Sequence, residues 1–177
     1  PVWSGLGQED IAASTELALA ELMLSGCTTA ADHHYVFPAG LEEAIDIQVE
    51  AVERLGVRAL LTRGSMSLGA SAGGLPPDVV VQDEGAILAD SERVVARFHD
   101  VAADARVRVA LAPCSPFSVS AELMRESARL ARRTGVRLHT HLGETQDEDA
   151  WCLETHGMRP VDYLEHCEWL ADDVWLA

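Results

Sequence analysis

Basic residues are scarce in this sequence. Lys and Arg together number 13 against 29 Asp and Glu, a formal net charge of −16 over 177 residues. Phosphate backbones are gripped by Lys and Arg, so this balance argues against nucleic acid and anionic membranes as partners. A small neutral heterocycle remains open as a substrate. Long apolar runs are missing too, and none approaches the roughly 20 residues that a bilayer-spanning helix needs. The opening residues lack the basic-then-apolar layout of a signal peptide. The four cysteines, Cys27, Cys114, Cys152 and Cys167, form no CxxC pair and no dense framework. That pattern points to reduced thiols in a cytoplasmic protein. Neither GxGxxG nor a P-loop follows any apolar segment, which disfavours an open nucleotide-binding sheet.

What is present is an ordinary globular composition, 48% apolar and 24% charged, long enough for one domain with a sizeable core. Apolar periodicity predicts helices over 8–25, 41–55, 84–99, 121–133, 147–155 and 160–170. Short apolar runs predict strands at 27–31, 57–61, 106–112 and 136–141, with a further strand starting near 174. Gly56-Val57-Arg58, Arg106-Val107-Arg108 and Gly135-Val136-Arg137 each launch a strand after a helix. Strand starts about 30 or more residues apart suit βαβ units, and the alternation implies an α/β fold with a parallel sheet covered by helices. Each complete strand ends in polar residues, as in a (β/α)₈ barrel of the TIM type or a doubly wound sheet. About four and a half units are present, so a barrel would be partial. Residues 68–83 are rich in Gly and Pro without a period, and a loop of that length suits a lid or a binding role.

The chemistry concentrates in Arg137-Leu138-His139-Thr140-His141-Leu142-Gly143-Glu144. Alternate strand residues share a face, so His139 and His141 point the same way, with Glu144 just beyond in a loop. A metal-binding imidazole near a proton-moving carboxylate is the minimum kit for hydrolysis. The competing reading is two hydrogen-bonded strand histidines and a solvated glutamate. Asp32, His33 and His34 could form a second cluster, but adjacent side chains diverge in a strand. A loop in which Asp32 caps amides and one histidine packs is therefore preferred. Arg63 could grip a substrate carbonyl or carboxylate, or could close a salt bridge across the mouth. Nothing beside Cys114 in sequence depresses its pKa, so it reads as a neutral thiol lining a pocket. Glu148 and Asp149 read as a solvated face. His99, His156 and His166 read as surface residues, and Trp151, Trp169 and Trp175 as core or interface.

Several segments together carry a family resemblance. They are residues 25–35 (SGCTTAADHHY), 63–69 (RGSMSLG), 73–78 (GGLPPD), 112–118 (APCSPFS) and 139–144 (HTHLGE). In these motifs the chain resembles the amidohydrolase superfamily, in its branch of purine deaminases and triazine hydrolases, over essentially all 177 residues. The resemblance implies a (β/α)₈ barrel, here strands two to five and the start of the sixth, binding one divalent metal, usually zinc. It implies His141 as a metal ligand and Glu144 as the catalytic proton shuttle, with His139 supporting the strand. It also implies substrate contacts from Cys114 and, as further lining, from Arg63, Ser65 and the 73–78 loop. The implied reaction is hydrolytic deamination of an oxidised purine such as 8-oxoguanine, with triazine hydrolysis as the alternative. A homo-oligomer is implied for the full-length enzyme.

The departures from the family pattern shape the expectation. The first-strand H-x-H would precede Pro1, and the sixth-strand histidine and eighth-strand aspartate would follow Ala177. One protein ligand of the usual set remains. Residues 1–177 are thus expected to be the central part of a barrel domain, incomplete at both ends, that binds metal poorly and does not turn over by itself. A chain opening on Pro, with neither an initiator Met nor a first strand, fits a piece of something longer. A catalytically inactive α/β module that binds a partner through its sheet edges is the alternative of a different class.

Overall fold

Helix and strand alternate from end to end in the computed structural model, which describes residues 2–177. The order is α1 (Gln8–Leu24), β1 (Thr29–Ala31), α2 (Ala44–Leu55), β2 (Arg58–Ser65), α3 (Glu84–Phe98), β3 (Val107–Pro113), α4 (Ala121–Thr134), β4 (Arg137–Thr140), α5 (Gln146–His156), α6 (Pro160–His166) and β5 (Val174–Leu176). Local chemistry sets these boundaries. Asp83, Ser120 and Thr145 accept backbone N–H bonds at the starts of α3, α4 and α5, satisfying donors that a first helical turn leaves free. Helix α6 stops at His166, short of the expected 170. There Glu168 turns left-handed (φ 66°), and the buried Trp169 donates its indole N–H to the Met124 carbonyl at 2.8 Å.

All five strands are parallel and lie in the order β1-β2-β3-β4-β5. Sequential parallel neighbours with helical crossovers curl into an arc of barrel rather than an open sheet with a switch point. Strand parity divides the residues between the two faces. Ala59 and Leu61 of β2, Val107, Val109 and Leu111 of β3 and Leu138 of β4 face the helices. They share one core with Ile45, Val49, Ile87, Val94, Leu123 and Leu130. The opposite parity faces the barrel interior and carries His139. No helix is long and apolar enough to cross a membrane among the described residues.

The 68–83 segment is an ordered cover at the C-terminal ends of β2 and β3. Ser67 and Leu68 donate to the Ser118 carbonyl, Ala70 donates to Pro76, and Gln82 donates to Met66. Asp78 ties the loop internally by accepting from Ser71 N–H and Oγ at 3.1 and 2.9 Å. Met66 and Val80 meet Val36 in a second small core, against which Tyr35 and Cys114 pack. The long loop is thereby pinned beside the chemically active strand ends.

Candidate active site

At the exit of β1, Asp32 fixes the chain before any histidine appears. One carboxylate oxygen accepts the Thr62 amide N–H at 3.1 Å and the other accepts Gln48 Nε2 at 2.5 Å, linking β1 to β2 and α2. Burial raises its pKa, against the lowering by these two bonds. Gly64 lets the following residues cross close above β2. It donates its N–H to the His34 carbonyl at 2.9 Å, and a Cβ there would lie 2.3 Å from that oxygen.

The close crossing sends His33 and His34 to opposite sides. His33 turns inward and donates Nε2–H to the Ala112 carbonyl at 3.1 Å. Its ring stacks on His141 and meets His139 edge-on, both at 4.5 Å between centroids. His34 turns towards Phe37, and its Nε2 is buried without a hydrogen-bond partner among the described residues. Burial, the largest cause in each case, lowers both pKa values to about 4, and the Arg63 charge adds to the effect on His34.

The main-chain oxygen of Cys114 organises the end of β4. It accepts the His141 N–H at 3.0 Å, His141 Nδ1–H at 3.2 Å and the Thr140 hydroxyl at 3.2 Å. A carbonyl only accepts, so His141 carries its proton on Nδ1 and presents a bare Nε2 lone pair, the form a metal ligand needs. His139 is oriented in the same way, with Nδ1–H on the Trp175 carbonyl at 3.0 Å and its ring stacked on the indole. The donor chemistry of His141 therefore fits a metal. No group of three or more His, Cys, Asp or Glu is placed to hold one among the described residues, so the rest of a ligand set is not supplied here.

The Cys114 thiol lies under Tyr35 at the end of β3. Burial pushes its pKa up to about 11, which leaves a neutral S–H at neutral pH and no nucleophilic thiolate. Tyr35 stands edge-on to His141, and its hydroxyl feels both Cys114 and Glu144. Beyond β4 the backbone turns left-handed at Gly143 (φ 70°) and exposes Glu144. The Glu144 N–H donates to Glu148 Oε2 at 2.7 Å.

The sequence-expected residues thus divide. Cys114, His141 and Glu144 are gathered at adjoining strand ends, joined by Tyr35 and His33. Arg63 lies elsewhere, on the helix-facing side with Ala59 and Leu61. Its buried guanidinium donates to Asp90 at 2.5 Å, to Gln82 at 3.0 Å and to the Gly64 carbonyl, and it stacks 3.8 Å from the Phe37 ring centre. Its donors are engaged in structure rather than turned to a ligand. Ser65 is likewise buried, and its carbonyl accepts the Cys114 N–H at 2.9 Å. Glu148, expected on a solvated face, is 1% exposed. The signal for it was available, because Thr145 three residues before Glu148 is the capping-box spacing. His156, expected at the surface, instead stacks on Tyr163 with Nε2 buried.

Known proteins resemble this chain in sequence and fold. The model of the amidohydrolase family matches residues 3–177. An 8-oxoguanine deaminase of Pseudomonas aeruginosa is 61% identical over 177 residues, covering 100% of this chain and 39% of that protein. Hydroxydechloroatrazine ethylaminohydrolase of Pseudomonas sp. strain ADP is 41% identical, over 100% of this chain and 37% of that protein. Among solved structures, atrazine chlorohydrolase from Arthrobacter aurescens TC1 complexed with zinc superposes with a TM-score of 0.92 at 34% identity, covering 97% of this chain and 38% of that one. The chain spans about two fifths of the length of these relatives, and its five-stranded arc is a partial version of their barrel. It belongs to the amidohydrolase family.

Proposed function

We propose that residues 1–177 form the central part of a metal-dependent amidohydrolase barrel domain whose parent enzyme deaminates an oxidised purine such as 8-oxoguanine. The observation that carries this reading is the 61% identity to an 8-oxoguanine deaminase across every residue of the chain. His141 Nε2 is the ligand this segment offers to one divalent metal, zinc by analogy with the atrazine chlorohydrolase, and the metal would supply Lewis acidity that activates water.

The chain's own residues do the rest. Water adds to the amidine carbon that bears the exocyclic amino group, the C–N bond breaks, and a carbonyl and ammonia result. The Glu144 carboxylate accepts a proton from the attacking water, passes it to the adjacent ring nitrogen, and helps to protonate the departing ammonia. The neutral Cys114 thiol offers a weak hydrogen bond to a polar edge of the purine without an ionic contact. Arg63 and Ser65 enter as supports for this wall: Arg63 locks β2 to α3, and Ser65 holds the Cys114 amide.

A second reading, triazine hydrolysis, has the 0.92 superposition on the atrazine chlorohydrolase in its favour. Turnover by the complete polypeptide separates the two. Ammonia release from 8-oxoguanine, with no chloride release from a chlorotriazine, is the expected result. Chloride release with 8-oxoguanine untouched would transfer the assignment to the triazine hydrolases.

A further inference from the structure

We propose that Glu148 is a positioning residue that sets where Glu144 stands, an inference that rests on Glu144 being the proton shuttle. Beyond β4 the chain is held at three backbone donors. His141 N–H bonds the Cys114 carbonyl, Leu142 N–H bonds the Ala177 carbonyl at 2.9 Å, and Glu144 N–H bonds Glu148 Oε2 at 2.7 Å. The first two are main-chain bonds just past the ends of the strands. The third is a side-chain bond, and it falls on the residue whose placement decides proton transfer. Its length is that of a charge-assisted hydrogen bond.

Helix capping alone does not account for this residue. The Thr145 hydroxyl accepts the Glu148 N–H at 3.3 Å, one half of a capping box, whose other half would set the Glu148 carboxylate on the Thr145 N–H; the carboxylate lies instead on the N–H of Glu144, one residue earlier. Glu148 is almost fully buried, and its second oxygen, Oε1, has no hydrogen-bond partner among the described residues. Burying a half-satisfied carboxylate is costly, and an apolar side chain would avoid that cost. The feature gained by accepting it is a rigid bond to Glu144, whose preceding residue, Gly143, gives the turn no side-chain restraint. A proton shuttle displaced by about 1 Å loses on the order of a hundredfold in rate, so a device that fixes the turn acts on catalysis through Glu144.

The test uses the complete metal-loaded polypeptide with Glu148→Ala, Glu148→Gln, Glu148→Asp and Glu144→Gln. Glu148→Ala is expected to lower kcat about 10–100-fold with KM and metal content held, the range typical of outer residues that orient a reacting group. Glu148→Gln keeps an acceptor oxygen and should recover most of that rate. A cap of purely structural role would lower Tm and leave kcat at low temperature unchanged. Should Glu148→Ala fail to fold, Glu148→Asp, whose arm is one methylene shorter, is expected to lose rate as well. On the metal-free polypeptide, hydrogen exchange at the Glu144 amide should speed up at least about tenfold in Glu148→Ala, in line with loss of its hydrogen bond.

Wild-type kcat in Glu148→Ala or Glu148→Asp, with Glu144→Gln inactive, overturns the inference while leaving the deaminase reading intact. Unchanged amide exchange overturns it as well. Full activity in Glu144→Gln instead overturns the reading of Glu144 on which it rests.

Discussion

His34 couples the site's packing to pH. In the fold its pKa falls to about 4, first because it is buried and then because the Arg63 guanidinium is near. Unfolded, it titrates near the ordinary value of 6.5. Between these values the unfolded chain binds the extra proton, so the His34 contribution is complete above pH 6.5 and is lost as pH falls towards 4. Its slope is at most about 1.4 kcal/mol per pH unit. The neighbouring groups act beside it. His33 is shifted the same way, whereas Asp32, whose pKa burial raises, favours the fold at the acid end. Thermal denaturation of the complete polypeptide from pH 7.5 to 4 should show a shallower acid loss in His34→Leu than in the parent, and parallel profiles would remove His34 as a source. The divergence of His33 from His34, and the capping role of Asp32, were legible in sequence because neighbouring strand residues point apart. The seat of Arg63 was legible by the same parity, since Ala59 and Leu61 mark the helix-facing side. Its charge and strand-end position drew the expectation to the ligand instead.

Between elements, β2, α2 and α3 are held by a chain of charges rather than by apolar contact alone. Asp90 of α3 binds the buried Arg63 of β2 and also Arg93 at 2.8 Å, and Arg93 in turn makes two bonds to Asp46 of α2 at 2.9 and 2.7 Å. Removing one partner of a buried pair leaves an uncompensated charge, at a cost of about 3–5 kcal/mol. Asp90→Ala should therefore destabilise the fold by about that amount in urea titration, and Asp90→Asn, which keeps an acceptor for Arg63, by less. A change below about 1 kcal/mol would show that Gln82 and the Gly64 carbonyl suffice for the guanidinium. Element types and most boundaries followed from periodicity and helix-start residues. This network did not, because Asp46, Asp90 and Arg93 look like any solvated helix face until the helices dock. Gly64 was equally silent, since the demand for a bare Cα comes from the His34 backbone crossing above it.

At the scale of the molecule, the arc of strands leaves both margins unpaired among the described residues: β1 bonds only β2, and β5 bonds only β4. A cavity of about 320 Å³ lined by Ala18, Leu19, Leu22, Ala30 and Leu61 opens at the β1 margin. At the β5 margin a cavity of about 760 Å³ is lined by Leu142, Val161 and Leu176 together with the charged Glu144, Asp149 and Arg159. Open parallel edges invite pairing with other chains; β1 and β5 carry no proline, and at three residues each only their shortness blunts them. The barrel of the relatives, which are more than twice as long, is the arrangement that closes such margins. Expressed by itself, the 177-residue chain should therefore sediment as a concentration-dependent mixture of associated species at micromolar concentrations. The complete polypeptide should sediment as one discrete species. A sharp 19.1 kDa monomer from the short chain would instead support the inactive α/β module. Its edges would then have to be tolerated in water, and the grouping of Cys114, His141 and Glu144 would need an explanation other than catalysis.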